Sequence, residues 1–411
     1  MSSVAVERCS NGVNLIYKFV NSPISHCCVM VDIGSRDEKK GEEGIAHFWE
    51  HMAFKGTQKR KSYQIVNYID DLGGELNAYT TKEKICFYVT VLNEHIYKGI
   101  NILLDIVFNA VFPEKEIEKE RGVILEEMRM YKDLPDDMLQ DEFDAQIFGN
   151  HALGHAIIGN ENTIKKFKRD DFFNFLKSNL NTERIVLSYV GGVRFNNIKK
   201  LVFKQIESIP CLNGSQQRVP FYSYKPQHNR IEKPYKQVHC AVGATAYSIR
   251  SEHRIPFALL TNLLGGNALN ARLNIELREK RGWVYQIESF FHPFTDTGVF
   301  GIFFGTEKKN FERCVDLIFQ EFKKITTGNF SENMLKKYKQ QFIGQMAIAE
   351  ERSNVVMFNM ARSFLDLDTI ENFDSLKKQV ENVSKEQLIA CSSSVLNVDN
   401  ISTLAFLPEN H

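Results

Sequence analysis

The sequence repeats itself at an offset of 215 or 216 residues, and that repeat limits the architectures open to it. Lys168-Arg169-Asp170-Asp171-Phe172 faces Ser384-Lys385-Glu386-Gln387-Leu388, Leu180-Asn181 faces Leu396-Asn397, and Ile185 faces Ile401. Upstream, Ile96, Ile100 and Leu103 face Phe311, Val315 and Ile318. Several windows in nearly one register point to duplication of an α/β unit of about 200 residues. The 411-residue length agrees, being more than one hydrophobic core usually holds. The expected organisation is a first half over 1–211, an extended connector rich in turn residues over 212–237, and a second half over 238–411. Within the first half, strands are expected at 13–20, 26–33, 75–78, 85–92 and 184–190, and helices at 62–72 and 96–107. A long charged helix should follow Pro113, a suitable first-turn residue, and run to about residue 131.

One short stretch carries the chemistry. Gly44-Ile45-Ala46-His47-Phe48-Trp49-Glu50-His51-Met52-Ala53-Phe54 holds two histidines four apart and a glutamate, with apolar residues almost everywhere else. On a helix, His47, Glu50 and His51 fall on one side, within a turn of one another. Burying two imidazoles and a carboxylate without partners costs several kcal/mol, on the order of the price of any unpaired polar burial. A divalent metal resolves the conflict, because neutral imidazole and carboxylate suit Zn²⁺. His-x-x-Glu-His is the inverted zincin motif, with Glu50 as general base. Opposite these three positions the second half has Asn262, Gly265 and Gly266, so only the first half is equipped to bind metal.

A third ligand is expected on the long charged helix. Most of its acidic residues are solvated, but Glu120 and Glu127 share the phase of the apolar stripe Ile117, Ile124, Met128 and Tyr131. Glu126 points the opposite way. Two carboxylates seven residues apart on a buried face suggest one metal ligand and one group supporting a ligand from behind.

The sequence therefore resembles the M16 metallopeptidase family, which includes the mitochondrial processing peptidases, insulysin and pitrilysin, and most closely its short bacterial members. The matching segments are His47 to Thr57, Gly73 to Thr80, Glu120 to Glu127, Arg272-Leu273 and Leu277 to Tyr285, spread over effectively the whole chain. Trp49 stands where leucine is usual, and Asn267 and Asn270 replace small residues; no expected ligand is altered. The resemblance implies one Zn²⁺ per chain on His47, His51 and Glu127, with Glu120 supporting the site. It places Asn77 and Ala78 on an edge strand that pairs with a bound peptide, and brings Arg278 and Tyr285 to the substrate from the second half. The implied fold is α+β: two duplicated halves, each a mostly antiparallel sheet with helices packed on one face, forming half of a clam-shell. The implied activity is endopeptidase cleavage of oligopeptides or unfolded segments by a homodimer, or by a heterodimer with a paralogue. The alternatives are a catalytic subunit that needs a non-catalytic partner and a non-catalytic scaffold of the same fold.

Composition excludes other classes. Lys+Arg and Asp+Glu are both 51, so no overall field attracts nucleic acid or anionic membrane. No apolar run is long enough for membrane insertion, and the opening residues lack a signal-peptide core. Eight scattered cysteines without Cys-x-x-Cys spacing suggest free thiols in a reducing compartment. A cytoplasmic protein is expected. The pair His151 and His155 has no intervening carboxylate and a glycine inside it, which favours a loop.

Overall fold

The computed structural model of the chain describes residues 4–215 and 217–409. Packing divides them into two compact units that do not follow chain order. The first takes residues up to Arg129, His155–Val219 and Ala349–Glu371; the second takes Met130–Gly154, Pro220–Ile348 and residues from Asn372 onward.

The first unit is built on six strands: β1 (Ala5–Arg8), β2 (Asn14–Phe19), β3 (Ile24–Val31), β4 (Glu75–Thr80), β5 (Ile85–Leu92) and β6 (Ile185–Gly191). Their order is β1-β2-β6-β3-β5-β4, so β4 lies at an edge. Only β2 and β6 pair in parallel. Alternation along the strands separates two faces. Leu15, Tyr17, Cys27, Val29, Phe87 and Val89 turn toward a layer of helices: α1 (Ile45–Ala53), α2 (Ser62–Asp70) and α3 (Ile96–Phe108). That is the expected helical face. The opposite face, with Ile16, Cys28, Met30, Cys86 and Val186, is also covered, by Val356, Met357, Met360 and Leu365 of the helix Ser353–Leu367. Cover on both sides leaves every residue of β6 buried, and its polar Ser188 hydroxyl is satisfied by the Met357 carbonyl at 3.0 Å.

The second unit has five strands: β7 (His228–Lys233), β8 (Val238–Ala246), β9 (Val284–Pro293), β10 (Gly298–Thr306) and β11 (Ser402–Pro408), in the order β7-β11-β8-β10-β9. Again one pair is parallel, β7 with β11. Cys240, Val242, Phe300 and Ile302 face the helices Arg254–Gly265, Phe311–Thr326 and Lys385–Val395. On the other face, Ala241, Val299, Leu404 and Phe406 meet Leu139, Phe143 and Ile147 of α5 (Pro135–Phe148). The long helix α4 (Glu114–Lys132) precedes it. The helix Ser353–Leu367 and α5 have thus changed places: each belongs to one half of the sequence and covers the sheet built by the other.

Residues 212–237 do more than connect. Leu212 and Gly214 hydrogen-bond to Thr182 and Leu180, and residues 228–233 form β7. Between them, Arg218 is largely enclosed by a cluster of charges. Its Nε and Nη2 donate to Asp37 at 2.8 and 2.9 Å, and Nη1 donates to Asp32 at 3.2 Å. Nearby, Arg36 Nη1 meets Glu83 at 2.6 Å. Among the described residues all eight cysteines are unpaired, and no helix is long and apolar enough to cross a membrane.

Replacing Arg218 by Met leaves Asp32 and Asp37 buried beside fewer cations, and should lower unfolding free energy in a urea titration by about 3–5 kcal/mol. The acid limb follows from Asp32. Burial raises its carboxyl pKa, but Arg218, Lys84 and Arg184 together outweigh burial and hold it below the ordinary range. Its contribution is complete above the unfolded-state value of about 3.9 and is lost as pH falls through the lower folded value. The stability difference between the wild type and Asp32→Asn should therefore hold steady down to about pH 4 and shrink below it.

Candidate metal centre

α1 is short and amphipathic in an unusual sense: it buries Ile45, Phe48, Trp49 and Met52 and turns His47, Glu50 and His51 the other way. Trp49 fills the space behind it, its ring centroid 5.6 Å from that of Phe87. The helix starts at Gly44, whose φ of 96° and lack of a Cβ both count. A Cβ there would lie 2.6 Å from the Ile158 carbonyl oxygen. The first-turn amides are satisfied from a distance: Gly44 N–H donates to Glu38 Oε2 at 3.0 Å and Ala46 N–H to Oε1 at 2.9 Å.

α4 supplies the second wall. Ile117, Ile124 and Met128 are buried with Glu120, as the helical phase predicts, while Glu126 is exposed and paired with Arg129 at 2.6 Å. Tyr131, expected on the same stripe, is instead 36% exposed in the last turn. Glu127 reaches the two histidines, with Oε1 4.0 Å from His47 Nε2 and Oε2 3.6 Å from His51 Nε2. One donor atom from each of His47, His51 and Glu127 lies within 4.8 Å of the others, and among the described residues no other set of three or more such side chains converges. His151 is not one of these donors; its Nδ1 accepts from the Leu153 amide at 3.2 Å.

The electrostatics suit a cation. Burial, reinforced by the neighbouring His51, drives the His47 pKa down to about 3, so its ring is neutral and carries a free lone pair. His51 Nδ1 lies 3.0 Å from Glu120 Oε1. With Nδ1–H donating to that carboxylate, the His51 lone pair is on Nε2, the nitrogen that faces Glu127. Burial alone would raise the Glu120 pKa, but hydrogen bonds from His51 and Lys55 prevail and hold it below the ordinary range. The two imidazole rings sit 4.6 Å apart, and His47 Nδ1 has no hydrogen-bond partner. Imidazole nitrogens of both His47 and His51 face the Glu127 carboxylate, and lone pairs turned toward a carboxylate are unfavourable until a cation lies among them. The residues fit a divalent metal.

Glu50 stands beside the three donors without joining them. Burial, with a contribution from Glu127, raises its carboxyl above the ordinary range, although the Thr80 hydroxyl donates to its Oε2. β4, which carries Thr80, is the edge strand; Asn77 and Ala78 lie on it, and the Asn77 side chain accepts from the Ala78 amide at 2.8 Å. Two contacts went unforeseen. Thr80 and Lys55, whose ammonium lies 2.7 Å from Glu120 Oε2, both sit inside the motif segments, yet neither has a periodicity that marks it.

Arg278 and Tyr285 belong to the second unit. A π-helical turn, Asn274–Glu279, carries Arg278, and its guanidinium lies 5.7 Å from the Tyr285 ring centroid at the start of β9. Tyr285 is 84% exposed. A single π turn of this kind is uncommon and recurs at functional sites.

Comparison with known proteins bears on this geometry. Residues 16–161 match the family model described as Insulinase (Peptidase family M16), and residues 166–342 match the one described as Peptidase M16 inactive domain. The chain belongs to peptidase family M16. An uncharacterized zinc protease of Rickettsia bellii is 33% identical, over 97% of this chain and 93% of its own. An uncharacterized zinc protease of Bacillus subtilis is 28% identical over 95% of both chains. A protease from Helicobacter pylori superposes with a TM-score of 0.91 at 20% identity, covering 99% of this chain and all of its own. An M16 inactive-domain structure from Pseudomonas fluorescens gives 0.91 at 18%, covering 99% and 98%; at these identities the likeness shows the fold.

Glu127→Gln should lower Zn²⁺ affinity by at least about 10-fold, since a neutral amide is a poorer ligand than a carboxylate. Competition against a chromophoric chelator measures it.

Proposed function

We propose that this chain is a zinc-dependent endopeptidase acting on oligopeptides or unfolded segments. One observation carries the reading: His47, His51 and Glu127 converge within 4.8 Å, with the Glu50 carboxylate beside them and not among them. That is three protein donors plus a separate base, the pattern of a hydrolytic rather than a structural zinc site.

Bound there, one zinc ion per chain supplies Lewis acidity, polarising a carbonyl and making water more acidic. The protein's own groups do the rest. Glu50 takes a proton from the attacking water on one carboxylate oxygen and delivers it to the departing amine nitrogen. Glu120 keeps His51 in the tautomer that offers Nε2 to the metal. The free edge of β4 at Asn77 and Ala78 accepts the peptide backbone as an added strand, which favours extended substrates over folded ones. By family resemblance Arg278 and Tyr285 take the substrate carbonyl and its developing negative charge, and two copies of the chain associate to enclose the substrate.

The purified chain alone should cleave an internally quenched peptide, contain about one zinc per chain, and lose activity to a chelator and regain it with Zn²⁺. Activity only after addition of a second protein would identify a subunit that needs a partner, and zinc content without any activity would identify a scaffold. Glu50→Gln should keep zinc and peptide binding and lose about 10²–10⁴-fold in kcat. Wild-type turnover in that variant would remove Glu50 as the base.

A further inference from the structure

Two carboxylates at the centre bind no metal in the peptidase reading: Glu120, behind His51, and Glu50, the base. Each is held by one further side chain, and the two holders come from different parts of the fold. We infer that Lys55 and Thr80 are separate positioning residues, Lys55 acting on metal affinity through Glu120 and Thr80 acting on proton transfer through Glu50. This rests on the peptidase reading above.

Lys55 follows the end of α1, its amide donating to Met52 O at 3.0 Å. Its ammonium is 2.7 Å from Glu120 Oε2, while Glu120 Oε1 faces His51 Nδ1 at 3.0 Å. The carboxylate is therefore fixed at both oxygens, one by a cation and one by the imidazole it orients. Without Lys55 the carboxylate could turn about its last side-chain bond, and the His51 ring would lose the partner that sets its plane. Lys55 is partly exposed, so its role is not to fill the core.

Thr80 is the last residue of β4, and its hydroxyl donates to Glu50 Oε2, leaving Oε1 for water. The turn that follows is unusually constrained. Thr81 N–H donates to Lys84 O at 2.7 Å, Ser35 N–H to Thr81 O at 3.2 Å, and Arg36 N–H to Lys82 O at 2.7 Å. Lys82 Nζ donates to His155 O at 2.6 Å, and Glu83 is paired with Arg36. Backbone approaches backbone so closely that a Cβ on Gly34 would lie 2.4 Å from the Lys82 carbonyl. Buried ion pairs thus hold the strand end that carries Thr80, and Thr80 holds the base. Since β4 is also the edge offered to the peptide, one strand sets both the substrate's register and the orientation of Glu50.

The two roles separate in one set of measurements on the full-length protein: Zn²⁺ affinity by chelator competition, and kcat and KM on a quenched peptide at saturating zinc. Lys55→Met should weaken zinc about 10–100-fold, with Lys55→Arg restoring most of it and zinc-saturated kcat changing little. Thr80→Val, nearly isosteric, should leave zinc affinity and KM unchanged and lower kcat about 10–100-fold, with Thr80→Ser restoring it. Lys55→Gln and Thr80→Ala serve where a first variant folds poorly. Wild-type zinc affinity in both Lys55→Met and Lys55→Gln overturns the first role. Wild-type kcat in Thr80→Val, or a loss of zinc there instead of a loss of kcat, overturns the second. A wild-type chain that neither binds zinc nor cleaves peptide defeats the peptidase reading itself, which these variant comparisons leave untouched.

Discussion

Everything at the centre depends on keeping a nine-residue helix still while it carries polar groups on one side and core on the other. α1 is too short to be stable by itself, since isolated helices of this length are marginal in water. It is held by burial of Phe48, Trp49 and Met52, by Glu38 at its first amides, and by the contact of His51 with Glu120 across to α4. The apolar contacts give affinity without direction. The hydrogen-bonded carboxylates give direction, because each accepts at both oxygens and so admits one orientation. The convergence of His47, His51 and Glu127 is a by-product of helix capping and buried charge pairing.

How much of this the sequence disclosed depended on whether a residue took part in a periodic pattern. His47, Glu50 and His51 lie on one turn, and Glu120 and Glu127 lie on the apolar stripe of α4; period 3.6 marks all five. Strands were legible from alternation, and the α+β duplication from the repeat. Thr80 sits at a strand end, where alternation stops, and Lys55 follows a helix, where phase no longer applies. Arg218 lay in a stretch of prolines, glycine and polar residues that resembles any connector. Its partners Asp32 and Asp37 come from a loop some 180 residues earlier, a pairing no local pattern encodes.

The exchange of α5 and the helix Ser353–Leu367 was hidden for a related reason. An amphipathic helix announces that it has an apolar face, not which sheet that face will cover. The expected halves had helices on one face of each sheet, and nothing in the repeat addressed the other face. The observed arrangement keeps the symmetry and swaps the coverings: the five strands expected in the first half are present, while β1 and the two crossing helices had no expectation.

That swap dictates an order of assembly during synthesis. Ile16, Cys28, Met30 and Val186 are in the nascent chain early, but the residues that cover them, Val356 to Leu365, are made near the end. For most of translation one side of the first sheet has no cover of its own, and it is an apolar surface of the kind that promotes aggregation. The amino-terminal half released alone would carry that bare sheet into solution. A gene split at the connector thus has to express both pieces together, or rely on a chaperone to shield the first until the second arrives.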